Sequence, residues 1–363
     1  STRNFFFAGE ALAAENPSSV HGALQSGLDC AQLILEDATE GPEDILVIGA
    51  GVSGAGTAQA LASADHSVTV LEARARVGGR IFSLDDEKTL DAWGCSVEQG
   101  ANWVHDTSAS DVATRLSDLG VAHVPFEYTR SVRSEDGTGI VDRMDVKRGN
   151  NAANELVKRA VQEAKEDEQD ISVAQALTRA RGQQDPHVDL YLRSELIAEF
   201  GANADEMGAW YGLEEGTEGD DVLVVGGYGK LVTALLADIP TRLECPVSSI
   251  DTSGDKVVVT TRDGEQVSAD RVVVTVPLGV LKAQAVAFTP PLPATHSDAI
   301  AGLGFGALEK LWLRFDEQWW SNETQWWTSL ENDAQDGFQW FAPFAEAETP
   351  FPVLLGIVGS VRA

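Results

Sequence analysis

The chain opens on a short apolar run, Asn4–Gly9, and then on Ser19–Leu35, where apolar residues recur at helical spacing. A polar connection of eight residues, Glu36–Glu43, carries Gly41-Pro42, a strong breaker. Asp44–Ile48 is apolar from its second residue on, the pattern of a strand buried on both faces. Gly49–Gly54 reads as a turn, Ala55–Ala64 as a helix of small residues, and Ser67–Glu72 as a second buried strand. Strand, helix, strand, helix, strand predicts an α/β fold with a parallel sheet.

The character changes over residues 107–220. Asn151–Gln184, rich in Ala, Glu, Lys, Gln and Arg, predicts two solvated helices, and Glu214–Asp221 reads as an acidic loop. From Asp221 β character returns, with Ser253-Gly254 and Asp263-Gly264 marking hairpin turns. Asp270–Val276 is another apolar strand, expected to rejoin the parallel sheet. A proline-rich bend (Pro290, Pro291, Pro293) then leads into aromatic strands. The nucleotide-type domain is therefore expected to be discontinuous, 1–106 with 221–285. It is interrupted by an α+β substrate domain, 107–220 with 286–363.

Charge adds one exclusion. Against 26 Lys and Arg stand 57 Asp and Glu, a formal net charge of −31 in 363 residues. Nucleic-acid affinity rests on neutralising phosphates with Lys and Arg, so nucleic acid is not an expected partner. Such a surface attracts cationic ligands such as amines, and it serves equally as a solubilising coat. Cys30, Cys95 and Cys245 lie far apart, giving neither a disulfide framework nor metal-like spacing. No secretory core or eighteen-residue apolar run is visible, so no membrane is expected and a cytoplasmic location is favoured.

The chemistry begins at Gly49-Ala50-Gly51-Val52-Ser53-Gly54, a G-x-G-x-x-G placed between a strand and a helix. Gly49 permits the tight turn, Gly51 lets backbone approach a pyrophosphate, and Gly54 lets helix and strand pack closely. The helix N-terminus, with Ser53 in it, supplies N–H donors and a favourable dipole. Glu72 ends the next strand 18 residues after Gly54, where an acid accepts from ribose hydroxyls. The turn alone serves NAD and FAD alike. The following segment, LEARARVGGRIFS, adds Arg74, Gly78, Gly79 and Arg80 just past the ribose acid.

This combination resembles the FAD-binding flavoproteins of the glutathione-reductase type, and within them the flavin-dependent amine oxidases. The resemblance implies a glutathione-reductase-like Rossmann domain with FAD as cofactor. VEQGANWVHD (Val97–Asp106) resembles the segment that passes the flavin ring in polyamine oxidases, which places Gly100, Ala101, Asn102 and Trp103 beside the isoalloxazine. His105 stands where several such oxidases carry a His or Glu facing the amine channel; otherwise it is a polar residue ending a strand. ECPVSSI implies Val247 at the adenine end, and TVPLGVLKA matches a strand–turn of the family. GFGALEKLWLRFDEQWW resembles the run of polyamine oxidases and flavin-dependent histone demethylases whose lysine, here Lys310, holds a water next to flavin N5. A snorkelling lysine is the alternative there. The dense tryptophans (Trp319, Trp320, Trp326, Trp327, Trp340) suit an amine channel, and a packed core explains most of them as well.

The opening segment resembles the family's closing one. Ala8-Gly9-Glu10 matches F-A-G-E, whose acid, here Glu10, contacts the ribityl–pyrophosphate region. Ser19 and Val20 open the helix whose backbone meets the pyrimidine side of the flavin, and Ser18 or Ser19 is a good N-cap. Asn16 stands where the family commonly has an aromatic wall of the substrate cage. In the family this segment follows the glycine turn by the length of the protein; here it precedes it. That order suits a circular permutation or a cut across two tandem copies, and the connection through Glu36–Glu43 is long enough for a right-handed crossover back to the sheet. The family motifs after the strand PVLLGIVGSV do not follow here, so the substrate domain is expected to be incomplete.

The function implied is an FAD-dependent amine oxidase that takes hydride from the carbon beside a polyamine-like amine onto flavin N5, with O₂ as acceptor. Lys310 and His105 are its catalytic candidates, and no metal is implied. The alternatives are a catalytically silent flavin-binding module, an amino-acid oxidase and a lysine-demethylase-like enzyme.

Overall fold

The computed structural model describes residues 4–37, 41–108, 111–134, 139–166, 168, 170–180, 186–210, 219–330, 338–345 and 351–359. The chain divides into two compact units, 1–123 with 217–303 and 124–216 with 304–363.

The first unit is built on five parallel strands. They are β1 (Phe5–Phe7), β2 (Asp44–Ile48), β3 (Ser67–Leu71), β4 (Thr241–Arg242) and β5 (Arg271–Val274), ordered β1-β5-β2-β3-β4. Helix α1 (Val20–Asp37) joins β1 to β2, and α2 (Val52–Ser63) joins β2 to β3. Alternation along the strands divides their side chains between two cores. Phe6, Ile45, Val47, Val68, Val70 and Val273 pack with α1 and α2. Leu46, Ile48, Leu71, Val272 and Val274 pack on the other side against Val247, Ile250, Val257, Val259 and Ala269. These last residues come from an antiparallel meander, Val247–Asp251, Val257–Thr261 and Gln266–Ala269, turned at the two sites where Ser-Gly and Asp-Gly were expected. Two covered faces explain why β2 and β5 read as unbroken apolar runs rather than as alternating ones.

Three local differences from expectation have physical causes. α2 starts at Val52, not Ala55, because Gly51 already acts as its N-cap with φ −76° and ψ 176°. β1 is shorter than Asn4–Gly9, since Gly9 adopts φ +152° and turns the chain out of the sheet. β5 does rejoin the parallel sheet, but it inserts between β1 and β2, with Val272 opposite Phe5 on one side and Leu46 on the other. The β1–α1–β2 crossover therefore spans one strand. Its far end is clamped by Arg271, which is 1% exposed. The guanidinium donates through Nε to Glu43 Oε2 at 2.7 Å and through Nη1 to Asp37 Oδ2 at 2.8 Å.

The second unit holds a five-stranded sheet ordered Leu308–Arg314, Val353–Gly359, Gln339–Phe341, Trp326–Ser329, Ser131–Ser134. Its pairs are antiparallel except the last, which is parallel. Two helices account for the stretch predicted to hold two: Arg143–Glu166, which begins eight residues before Asn151, and Val173–Ala180; they meet through Val157, Ala160, Ala164, Val173, Ala176 and Leu177. The end of that predicted helical stretch, 181–184, and the part of the acidic loop at 214–218 lie outside the described residues. Trp326 is buried, stacked on Phe341 and donating from Nε1 to Gln339 Oε1 at 2.9 Å, whereas Trp319 is 70% exposed. No helix among the described residues is long and apolar enough to cross a membrane.

Candidate flavin site

The carboxyl end of the parallel sheet gathers the cofactor candidates. Gly49 leaves β2 with φ +112°, a conformation L side chains rarely adopt, and its N–H donates to Leu71 O at 2.9 Å. A Cβ on Gly54 would stand 2.1 Å from Gly49 O, so that glycine is required by helix–strand packing. Gly51 differs: a Cβ there would meet no heavy atom within 4 Å. Its open side lies at the N-terminus of α2, where the first N–H groups lack helical partners. Ser53, in that first turn, is buried with its hydroxyl unpartnered among the described residues.

The Arg76-Val77-Gly78-Gly79-Arg80 segment closes on this turn. Gly78 N–H donates to Ala50 O at 2.8 Å, and Gly51 and Gly78 form a parallel bridge. Arg76 folds back over its own loop, donating to Gly79 O at 3.0 Å and Val77 O at 3.1 Å, with its guanidinium 3.9 Å from the centre of the Phe82 ring. Burial, and then the neighbouring Arg74, pull the Arg76 pKa down from its ordinary value. Arg80 O in turn accepts from Ala101 N–H at 3.0 Å, and a Cβ on Gly100 would fall 1.9 Å from that oxygen. Only a glycine lets residues 100–103 lie against this loop. Asn102 is 1% exposed and its carbonyl accepts from Val224 N–H at 2.7 Å.

Glu72, at the end of β3, is buried and takes one backbone donor on each oxygen, Ala50 N–H and Arg74 N–H, both at 2.8 Å. A carboxylate has about four acceptor positions, so each oxygen retains capacity for a hydroxyl. Glu244 N–H and Cys245 N–H donate to Arg74 O and Glu72 O at 2.9 and 2.8 Å. These bonds bring Val247, buried in the meander core, to the Glu72 end of the site.

The N-terminal segment joins the same assembly. Glu10 Oε1 pairs with Arg80 Nη1 at 3.1 Å, and Glu10 Oε2 accepts from Ser18 N–H at 3.0 Å. Ser19 is the N-cap of α1: its hydroxyl accepts from Gly22 N–H at 2.9 Å and donates to Asn16 O at 2.6 Å. With the Ser19 side chain committed to the cap, the groups α1 can present to a ligand are backbone N–H groups of Val20 and its neighbours. Asn16 and Ser18 both adopt positive φ, +51° and +61°.

Next to this helix start lies a histidine–acid group. His105 Nδ1 is 2.8 Å from Asp221 Oδ2, and Trp103 stacks parallel to the His105 ring at 6.5 Å. His21, in the first turn of α1, is buried with Nε2 unpartnered among the described residues. Burial, and then the field of His105, pull its pKa down, opposed by Asp106 and Asp221.

All sixteen cofactor candidates and His105 thus fall in the first unit. Lys310 falls in the second, mid-strand in Leu308–Arg314, half-buried and opposite Ile357. Three residues escaped the sequence reading. Arg76 was legible, since it stands inside the recognised motif. His21 was half legible, one residue from a named one. Asp221 was not, because its place depends on a strand pairing 116 residues apart.

A parallel sheet flanked by helices on one side and an antiparallel meander on the other, with a dinucleotide turn and a ribose acid at its carboxyl edge, defines a dinucleotide-binding α/β protein. The open face of Gly51, the unpartnered Ser53 hydroxyl and the remaining acceptor capacity of Glu72 fit that cofactor. The chain belongs to the flavin containing amine oxidoreductase family, which it matches over residues 1–35 and 52–363. It is 33% identical over 303 residues to a polyamine oxidase 4 of Oryza sativa subsp. japonica, covering 77% of this chain and 61% of that one. It is 32% identical over 299 residues to a human lysine-specific histone demethylase 2, covering 77% of this chain and 36% of that one. A solved putrescine oxidase variant, redesigned in its cofactor binding, superposes with a TM-score of 0.67 at 19% identity, over 88% of this chain and 76% of the other. The chain therefore spans about three fifths of the length of that polyamine oxidase.

Proposed function

We propose that the chain acts in an FAD-dependent amine oxidase that oxidises a polyamine-like amine at the carbon beside nitrogen, with O₂ as the final acceptor. The observation that carries this reading is the linkage of four separate segments: 72–80 bridges to the turn 49–54 through Gly78, and its Arg80 meets both Glu10 of 8–20 and Ala101 of 100–105. Bound there, FAD supplies a two-electron acceptor for hydride from that carbon, which leaves an imine for water to hydrolyse.

The chain's own residues bind and orient. The α2 N-terminus with Gly51 and Ser53 holds the pyrophosphate, Arg74 and Arg80 face it from the second loop, and Glu72 accepts from the adenosine ribose. Glu10, paired with Arg80, serves the ribityl side. Gly100, Ala101, Asn102 and Trp103 line the ring, with Val247 at the adenine end. The α1 N-terminus at Ser19 and Val20 offers N–H donors and dipole to negative charge on the pyrimidine side. His105 accepts a proton from the amine, and Lys310 holds the water of the reacting site. The net charge of −31 favours approach of a polycation.

The test is optical. Purified protein carries the two visible bands of an oxidised flavin, and spermine or spermidine bleaches them without oxygen. Protein that stays colourless after refolding with FAD overturns the proposal. A flavin that binds but is never bleached by any amine selects the silent flavin-binding reading instead.

A further inference from the structure

The pairing of His105 with Asp221 goes one step beyond the proposed function, on which it rests. Trp103–Val104 and Asp221–Val224 form an antiparallel pair, with Trp103 opposite Leu223 and Val104 opposite Val222. The next pair in that register is His105 and Asp221, so the contact is cross-strand and set by the backbone. Period-2 alternation puts both on the face of Trp103, away from buried Val104. Asp221 is fixed before it meets the ring, since its Oδ1 accepts from Asp106 N–H at 3.0 Å. Its side chain is 10% exposed, that of His105 37%.

We propose that Asp221 is a positioning residue for His105: it accepts the Nδ1 proton's hydrogen bond, so that the neutral imidazole carries its lone pair on Nε2, the nitrogen that takes a proton from the substrate ammonium. In that step the amine N–H bond breaks, an Nε2–H bond forms, and the nitrogen lone pair is released on the substrate. Positive charge passes from substrate to imidazole, no electron changes owner, and the hydride step is separate. Asp221 stabilises the imidazolium so formed. Among the described residues, Trp103 stacks on the ring, Asp106 is next in the chain, and His21 from α1 lies within its field. Burial, and then the field of His105, lower the His21 pKa, which disfavours a second cation beside the imidazolium.

The test uses flavin-loaded protein and two readouts. The first is independent of turnover: ring ¹⁵N–¹H correlation spectra of His105, assigned with His105→Gln, across pH 5 to 9. Wild type is expected to show the Nδ1–H tautomer, and Asp221→Asn to move the titration midpoint acidward by about one pH unit or more. The second is the rate of anaerobic flavin reduction by spermine. Its acid limb is expected to move the same way in Asp221→Asn, with the rate at least tenfold lower, and to return toward wild type in Asp221→Glu. An Nε2–H tautomer, or a midpoint unmoved in Asp221→Asn, overturns the inference. So does a slower variant whose melting temperature falls while its acid limb stays put, the signature of a merely structural acid. Wild type that binds flavin and shows the Nδ1–H tautomer, but is not reduced by amine, sinks the oxidase reading while the positioning of His105 stands.

Discussion

Thr57 Oγ1 donates to the carbonyl oxygen of Gly27 at 2.9 Å, so α1 rests directly on α2. A Cβ on Gly27 would lie 2.2 Å from Ser53 O, in the first turn of α2, whose N–H groups are proposed to meet the pyrophosphate. The helix from the opening segment and the helix of the glycine turn therefore share one contact surface with no room for a side chain. Gly27→Val is expected to push α1 away at a cost of about 1–3 kcal/mol. It should also lower flavin affinity, because Ser19, Val20 and Glu10 move with α1. Thermal melting and flavin titration of the same sample check both.

Gly51 and Gly54 separate cofactor binding from folding. Space is open at Gly51 and its φ of −76° suits any residue, so Gly51→Ala should cost the apoprotein less than about 1 kcal/mol. The new methyl projects into the face left for pyrophosphate, and flavin affinity is expected to fall tenfold or more. Gly54→Ala forces a Cβ to 2.1 Å from Gly49 O and should destabilise the protein with or without flavin. Urea unfolding of the two apoproteins, beside flavin titration, distinguishes them; equal loss of stability would contradict the geometry.

Much of this was legible in the residues. Asp44–Ile48 matches the predicted strand to the residue, because an apolar run bounded by a polar connection and a glycine turn leaves no other element. The glycine turn, the Gly78-Gly79-Arg80 loop and the N-cap were local signals, and they sit where local chemistry put them. The insertion of β5 between β1 and β2 was not legible, since apolar runs name a strand but not its neighbours. For the same reason the clamp of Arg271 on Asp37 and Glu43, and Asp221 opposite His105, depend on pairings more than a hundred residues apart.

That clamp is itself a prediction. Arg271 is buried, and Glu43, whose side chain is 11% exposed, takes both Nε and Nη2. Removing the cation leaves a carboxylate desolvated beside the end of the crossover, which typically costs about 3–5 kcal/mol. Arg271→Met should lose stability in that range, and Arg271→Lys should recover only part, because an ammonium does not reproduce the two-nitrogen fork. Denaturation midpoints at fixed flavin concentration report it. A loss below about 1 kcal/mol for Met would show that the clamp contributes specificity rather than stability.

Cys30 lies inside α1, 4% exposed, and burial pushes its thiol up to about 12. The thiolate is the nucleophile, so at pH 8 the group is inert. A chromogenic disulfide should leave Cys30 unlabelled in the native protein and label it in urea. Labelling of native Cys30 at the rate of a free thiol would mean that α1 undocks from α2 on the timescale of the assay.

His21 contributes to the pH response near neutrality. Its folded pKa lies below the ordinary 6.5, with burial the first cause and His105 the second. The unfolded chain therefore takes up this proton at a higher pH than the folded one does. Stability from this site is complete above about 6.5 and is lost as pH falls through 6.5 toward the folded value. The carboxylates held below their usual range, Asp86, Asp251, Asp263, Glu265 and Asp270, act lower, because their unfolded values are 3.8 and 4.5. The interval from about 6.5 to 5 therefore lies above the range in which those carboxylates act. The informative quantity is a difference between proteins. Unfolding free energies of wild type and His21→Asn should differ by a constant above pH 7, and that difference should shift in favour of the variant as pH falls from 6.5 to 5. A difference that stays flat across that interval would mean that His21 titrates in the folded protein as it does in water.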